Sequence, residues 1–167
     1  EDDYLFPAAV NQAGYGSVAC LYTTPNPAWY YMEVDDSGDI VIDITSGADV
    51  DFVAWGPYNS LEEACNLIPM ISCGECPNNT SNPGFYPYGM IVDCSYSALA
   101  YETVSIPNAQ SGQVYVLLIT NYANVATNIE FEQTGGTGTV NCDIVAPPIS
   151  SNSVVCEGET IELYVAY

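Results

Sequence analysis

Short stretches of the chain alternate hydrophobic and polar residues with a period of two, and turn residues separate them. Ile40, Ile42 and Ile44 alternate with Val41 and Asp43, which predicts a strand with one buried face. Before it, Trp29-Tyr30-Tyr31-Met32-Glu33-Val34 is aromatic and β-rich, and Asp35-Asp36-Ser37-Gly38 reads as the turn between them. After it, Val50-Asp51-Phe52-Val53-Ala54-Trp55 predicts a third strand, stopped by Gly56-Pro57. These three runs are expected to form a consecutive antiparallel meander. Further on, 101–106 predicts a strand ended by Pro107-Asn108. Residues 127–133 predict another, with Ile129 and Phe131 inward and Glu130 and Glu132 outward. The run 113–120 is apolar almost without interruption, which marks a strand buried on both faces and places it at the centre of the core. Thr134-Gly135-Gly136-Thr137-Gly138-Thr139 reads as a flexible exit.

One short helix fits between the strands. Ser60 is a good N-cap, and Glu63 three residues later completes a capping box, so a helix is expected from Leu61 to about Leu67. Glu62 and Glu63 near its start suit the helix dipole. From 69 to 88 the chain is rich in Pro, Asn, Gly and Ser and lacks periodicity, a long excursion that Cys73 and Cys76 would staple. Seven or eight short strands, one small helix and no long helix give the fold class: an all-β, antiparallel β-sandwich, jelly-roll-like and stapled by disulfides. The expected division is a β-sandwich module over 1–145, a linker over 146–152 centred on Ala146-Pro147-Pro148, and the first strands of an incomplete immunoglobulin-like domain over 153–167. A lone hairpin cannot bury Ile161, Leu163 and Val165, which is why that last segment reads as incomplete.

Charge narrows the function. The 167 residues contain no Lys, Arg or His and 21 Asp plus Glu, a net charge of −21. An average chain of this length carries about 20 basic residues. Without His there is no imidazole base or His metal ligand, without Lys no Schiff base, and without Arg no bidentate anion clamp. Nucleic acid binding lacks its phosphate-neutralising residues, and anionic membranes would repel the chain. Cations, above all Ca²⁺, are attracted. The chain is still a folding sequence: 49% of it is hydrophobic and it holds 14 Tyr, 4 Phe and 2 Trp. It has no run of 18 apolar residues, so no membrane insertion is expected.

Seven cysteines lie at 20, 65, 73, 76, 94, 142 and 156. Cys73-Gly74-Glu75-Cys76 has the spacing of a redox or zinc motif. However, no basic side chain is present to lower a thiol pKa, and no second pair completes a zinc site. Structural disulfides, and with them an extracellular or cell-surface location, are the expectation. The expected pairs are Cys73–Cys76, Cys65–Cys94 and Cys20–Cys142, one of 15 connectivities open to six cysteines, with the partner of Cys156 beyond residue 167. Two overlapping sequons, at Asn78 and Asn79, allow N-glycosylation; a plain polar loop is the alternative.

Several motifs are longer than any local pattern. They are Pro25-Asn26-Pro27-Ala28-Trp29-Tyr30-Tyr31, Asp49-Val50-Asp51-Phe52-Val53-Ala54-Trp55-Gly56-Pro57-Tyr58, and Val92-Asp93-Cys94-Ser95-Tyr96-Ser97. To these add Ile106-Pro107-Asn108-Ala109-Gln110, the 113–122 run, and Phe131-Glu132-Gln133-Thr134-Gly135-Gly136-Thr137-Gly138. Over about 15–145 the chain resembles a β-sandwich module of large secreted surface proteins of Bacteroidota, including gliding-motility adhesins exported by the type IX system. It is distantly similar to pre-peptidase C-terminal domains, some of which bind Ca²⁺. The resemblance implies a non-enzymatic module of a large adhesin or filament, followed by immunoglobulin-like repeats of the same chain. Its partners would be cell-surface or substratum ligands, glycans among them. A carbohydrate- or calcium-binding accessory domain of a secreted enzyme is the alternative.

The chemistry left to the residues is that of carboxylates and aromatics. Asp49 and Asp51 lie two apart on a predicted strand and so share a face. They are candidate Ca²⁺ ligands together with Asp35, Asp36 and Asp39 of the neighbouring turn, against the alternative of solvated carboxylates with a structural Asp51 bonded to backbone. No EF-hand spacing is present. Paired carboxylates could hydrolyse glycosides, but no cleft is legible, and no catalytic residue is assigned. Phe85-Tyr86-Pro87-Tyr88 could stack on sugars or simply pack a stapled loop.

Overall fold

The computed structural model describes residues 4–73, 76–85 and 87–141. The linker and the immunoglobulin-like start over 146–167 lie outside the described residues, as do Cys142 and Cys156. Among the described residues are eight strands and one helix: β1 Tyr4–Pro7, β2 Pro27–Glu33, β3 Gly38–Ser46, β4 Asp51–Tyr58, α1 Leu61–Leu67, β5 Ile91–Ser95, β6 Tyr101–Ala109, β7 Val114–Thr120 and β8 Asn128–Gly136. They form two antiparallel four-stranded sheets, in the orders β1-β8-β3-β6 and β2-β7-β4-β5. The pairing is nested: β1 with β8, β2 with β7, β3 with β6 and β4 with β5. The molecule is therefore one long double ribbon rolled up on itself, and β3–β8 and β4–β7 pairs close the roll. This is an eight-stranded jelly roll.

The expected meander does not form. β2 and β4 both pair with β7, while β3 lies in the other sheet between β8 and β6. Successive strands cross between sheets because each sheet needs the other's apolar face. The core between the sheets gathers Ala28 and Tyr30 from β2, the three β3 isoleucines, Phe52 and Ala54 from β4, Val104 and Ile106 from β6, Leu117 and Ile119 from β7, and Ile129 from β8.

The sheet β2-β7-β4-β5 has a second apolar face. Trp29, Val53, Trp55, Cys94, Val116 and Leu118 point away from the inter-sheet core, and a layer made of Val18–Leu21, Ala64 of α1 and Cys76 covers them. The two tryptophan rings stack there at 5.7 Å. This explains why all seven residues of β7 are buried, as expected for the central strand. α1 forms as its capping box predicts: Ser60 Oγ accepts from Glu63 N at 3.1 Å, and Glu63 Oε2 accepts from Asn59 N.

Three element ends differ from expectation. β4 passes Gly56-Pro57 through a register shift and ends at Tyr58, because a Cβ at Gly56 (φ +152°) would strike the Tyr115 ring and glycine alone leaves room. β6 continues through Pro107 to Ala109, an edge strand where proline is tolerated. The expected flexible exit is partly strand: Gly135 pairs with Val41 and Gly136 with Ile40, and at Gly136 (φ +91°) a Cβ would meet the Asp39 carbonyl.

Candidate functional site

The roll has two ends. At one end lie the connections 8–26, 47–50, 96–100 and 121–127; at the other lie 34–37, 59–90 and 110–113. Two kinds of position are informative here: large apolar side chains left in water, and polar side chains that are buried. Tyr22, Tyr96, Leu99, Tyr101, Tyr122 and Val125 are all exposed at the first end. Tyr22 and Tyr96 meet edge to face at 6.2 Å. The remaining exposed ones, Leu67, Met70, Ile71 and Tyr88, lie on the 59–90 connection.

An open polar pocket of about 290 Å³ adjoins the first end, lined by Thr45, Ser46, Gly47, Thr127, Asn128 and Glu130. Thr45 is the cross-strand partner of both Glu130 and Tyr101, so the three side chains stand in one row on the solvent face of their sheet. The Thr45 hydroxyl donates to Glu130 at 3.4 Å. In the next row Asp43 faces Glu132 on one side and accepts from the Thr103 hydroxyl at 2.9 Å on the other. Hydroxyls, an amide and carboxylates beside a half-exposed tyrosine suit hydrogen bonding to polyhydroxylated ligands.

Behind the loops lie carboxylates that sequence reading placed only in part. Asp51, Asp93 and Glu102 are buried in a chain with no basic side chain. Burial pushes Asp51 up to about 8, with repulsion from Asp49 and then Glu102 adding to it. Burial also raises Asp93 to about 7, Glu102 to about 7, and Asp49 above the usual carboxylate range. Asp93 has a structural task. Its carboxylate accepts from Cys94 N at 2.8 Å, Ser105 N at 2.6 Å and the Asn79 amide at 2.9 Å. The same Asn79 amide donates to Thr103 O, and Asn79 N donates to Cys94 O. Asn79 and Asp93 together lace β5, the edge of one sheet, to β6, the edge of the other. Asn79 is thus buried with its amide committed, and of the two sequon asparagines only Asn78 keeps partial exposure.

The structure does not bring the predicted calcium residues together. Asp35 and Asp36 lie in the turn before β3 and Asp39 at its start, while Asp49 and Asp51 follow its far end; at about 3.3 Å per residue the strand sets them some 25 Å apart. Asp36 accepts from the Thr139 hydroxyl and Asp39 from Asn108 N, so both brace the turn. Among the described residues no group of three or more His, Cys, Asp or Glu side chains is arranged to hold a metal.

The cysteines correct the expected pairing. Cys73–Cys76 is present, but Cys94 bonds Cys20 rather than Cys65. That bridge pins the 8–26 segment onto the outer face of β5, so neither longer expected pair stands. The sugar-stacking stretch is also reduced: Phe85 is buried, Tyr88 is exposed, and Tyr86 is outside the described residues. The exposed tyrosines at the loop end were missed because Tyr22, Tyr96 and Tyr122 each sit singly in a different connection and Tyr101 opens β6.

No protein-family model matches the chain, and no curated protein or solved structure is significantly similar to it.

Proposed function

We propose that this chain is a non-enzymatic extracellular binding module of a large surface adhesin or filament, making contact through its tyrosine-bearing loop end. The observation that carries this reading is that Tyr22, Tyr96, Leu99, Tyr122 and Val125 in the connections, and Tyr101 at the start of β6, are all exposed at one end of the sandwich. Tyrosine offers a large amphipathic surface at small cost in side-chain entropy, which is why it is enriched at protein contact surfaces. The disulfides Cys20–Cys94 and Cys73–Cys76 fit an oxidising, extracellular setting. The raised carboxylates lie buried behind the loops rather than opposed across a cleft, which favours binding over glycoside hydrolysis. A net charge of −21 favours uncharged or cationic targets, and neutral glycans qualify.

The pocket beside Tyr101 favours a second reading, a carbohydrate-binding accessory domain. One experiment separates the two. Beads coated with the chain are offered surfaces bearing uncharged polysaccharide or protein, and retention is compared with that of Tyr96→Ser/Tyr122→Ser and of Thr45→Ala/Glu130→Gln. Loss with the tyrosine pair alone supports contact through the loops. Loss with the pocket pair alone, on polysaccharide, supports the accessory-domain reading. Undiminished retention of both variants overturns both.

A further inference from the structure

Asp51 opens β4 and Thr120 closes β7; they are directly paired, so their side chains leave the same face of the sheet. Thr120 is wholly buried and its Oγ1 has no hydrogen-bond partner. Asp51 is 6% exposed, and no donor among the described residues reaches its carboxylate. Asp49, two residues earlier, holds Oδ1 shielded and equally unpartnered. Its backbone carbonyl accepts from Ala123 N at 3.3 Å, which sets the 47–50 connection beside the 121–127 connection. Asn121, next to Thr120, commits its amide to Ala9 O at 3.0 Å and Val125 O at 2.8 Å and leaves Oδ1 buried without a partner. Glu102 faces the same region, but its Oε1 already accepts from Ser97 N.

Asp51 and Thr120 thus face each other, Asp49 and Asn121 adjoin them along the chain, and Asp49 Oδ1, Thr120 Oγ1 and Asn121 Oδ1 are buried with no hydrogen-bond partner among the described residues. Buried unsatisfied polar atoms cost free energy, and a cluster of them calls for a partner. No Lys, Arg or His exists in the chain to supply it. Acceptor oxygens outnumber the one hydroxyl of this set, and a hard cation asks for oxygens alone. We propose that Asp49, Asp51, Thr120 and Asn121 hold one divalent cation of the oxygen-ligated class, Ca²⁺. Asp49 and Asp51 match its charge, Thr120 Oγ1 and Asn121 Oδ1 are neutral ligands, and water entering past half-exposed Asp49 completes the shell. The cation ties the β3–β4 connection to the β7–β8 connection. The partners of Asp49 and Asp51 are therefore on β7 and the loop after it, not on the 35–39 turn. The site does not depend on the loop surface being a binding surface.

The test uses the whole chain stripped with EDTA. Melting midpoints are followed against CaCl₂, with NaCl at matched ionic strength as the control. The wild type is expected to rise saturably by several degrees beyond the NaCl effect. Asp51→Asn, isosteric and uncharged, is expected to abolish the rise, and Thr120→Val to weaken apparent affinity about tenfold. Should Asp51→Asn fail to fold, Asp49→Asn, at a less buried position, serves in its place. Equal midpoints in CaCl₂ and NaCl overturn the site. So does a Ca²⁺ response undiminished in the Asp variant, which would mark plain screening of the surface charge.

Discussion

The two sheets are built from the same kind of strand and end in different surroundings. In β1-β8-β3-β6 one face is core and the other meets water, and the sequence shows it: β3 buries Ile40, Ile42 and Ile44 while Val41, Asp43 and Thr45 stay partly exposed. In β2-β7-β4-β5 both faces are core, because Val18–Leu21, α1 and Cys76 cover what would be the solvent side. A two-faced sheet demands continuous apolar strands, and β7 is one. The jelly roll needs only the inter-sheet core. The second core is an addition, and a covalent bond between Cys20 and Cys94 holds its cover in place.

The largest expected effect tests that cover. Replacing Cys20 and Cys94 by Ser removes a link spanning 74 positions and should cost about 4 kcal/mol by loop entropy alone. The Cys73–Cys76 pair spans three, and its loss should cost less than half as much, about 1.6 kcal/mol. Urea denaturation midpoints check both, and equal costs would mean that the long bridge does not organise the second core.

Next come adjacent residues of β7 that point to opposite cores. Leu118→Ala and Ile119→Ala should each cost about 2–5 kcal/mol, whereas Val41→Ala on the solvent face of the other sheet should cost under ~1 kcal/mol. A Leu118→Ala cost as small as that of Val41→Ala would show the covering layer to be loosely applied.

The third test is pH, read in EDTA. Asp51, Asp93 and Glu102 have folded pKa values of about 8, 7 and 7, above their unfolded values near 4. The folded form therefore holds more protons. The stability they contribute is full below about pH 4 and is lost as pH rises through 7 to 8. The protein should be more stable at pH 5 than at pH 8.5, by on the order of 1–3 kcal/mol, and Asp51→Asn should flatten the profile. Thermal melts that show stability climbing from pH 5 to 8.5 would contradict it. The smallest effect belongs to the loop end: Tyr122→Ser should change stability by no more than ~0.5 kcal/mol, so that any change in bead retention reports contact rather than folding.

What could be read from the sequence follows from how local each signal is. The β3 alternation, the β7 run and the Ser60–Glu63 cap are written within a few residues of themselves, and all three appear as expected. β5 was not recognised as a strand because all five residues are buried, Asp93 among them, so neither alternation nor a clean apolar run survives. β1 is four residues long beside an acidic stretch and offers too little pattern. The meander failed for a different reason: β2 finds its partner about 90 residues away, and no local pattern carries that distance. The same holds for the site. Asp49 and Asp51 were visible as a pair, but Thr120 and Asn121 come to them only through β4–β7 pairing, and the turn acids drop away because β3 is long. An aspartate inside the apolar run Ile91-Val92-Asp93-Cys94 was the available hint that a carboxylate is buried in the β5 edge.

The Cys20–Cys94 bridge also sets how the fold carries tension. A pull applied between the two sides of the described chain cannot lengthen the stretch between those cysteines, which holds β2, β3, β4 and α1. Force passes from the first twenty residues across the sulfur pair and on through β6, β7 and β8. β1 and β8 are antiparallel neighbours, so β1 peels from its partner one hydrogen bond at a time, as a zipper opens. Of the four central strands, β3 and β4 lie inside a covalent loop that the load bypasses, while β7 and β8 carry it.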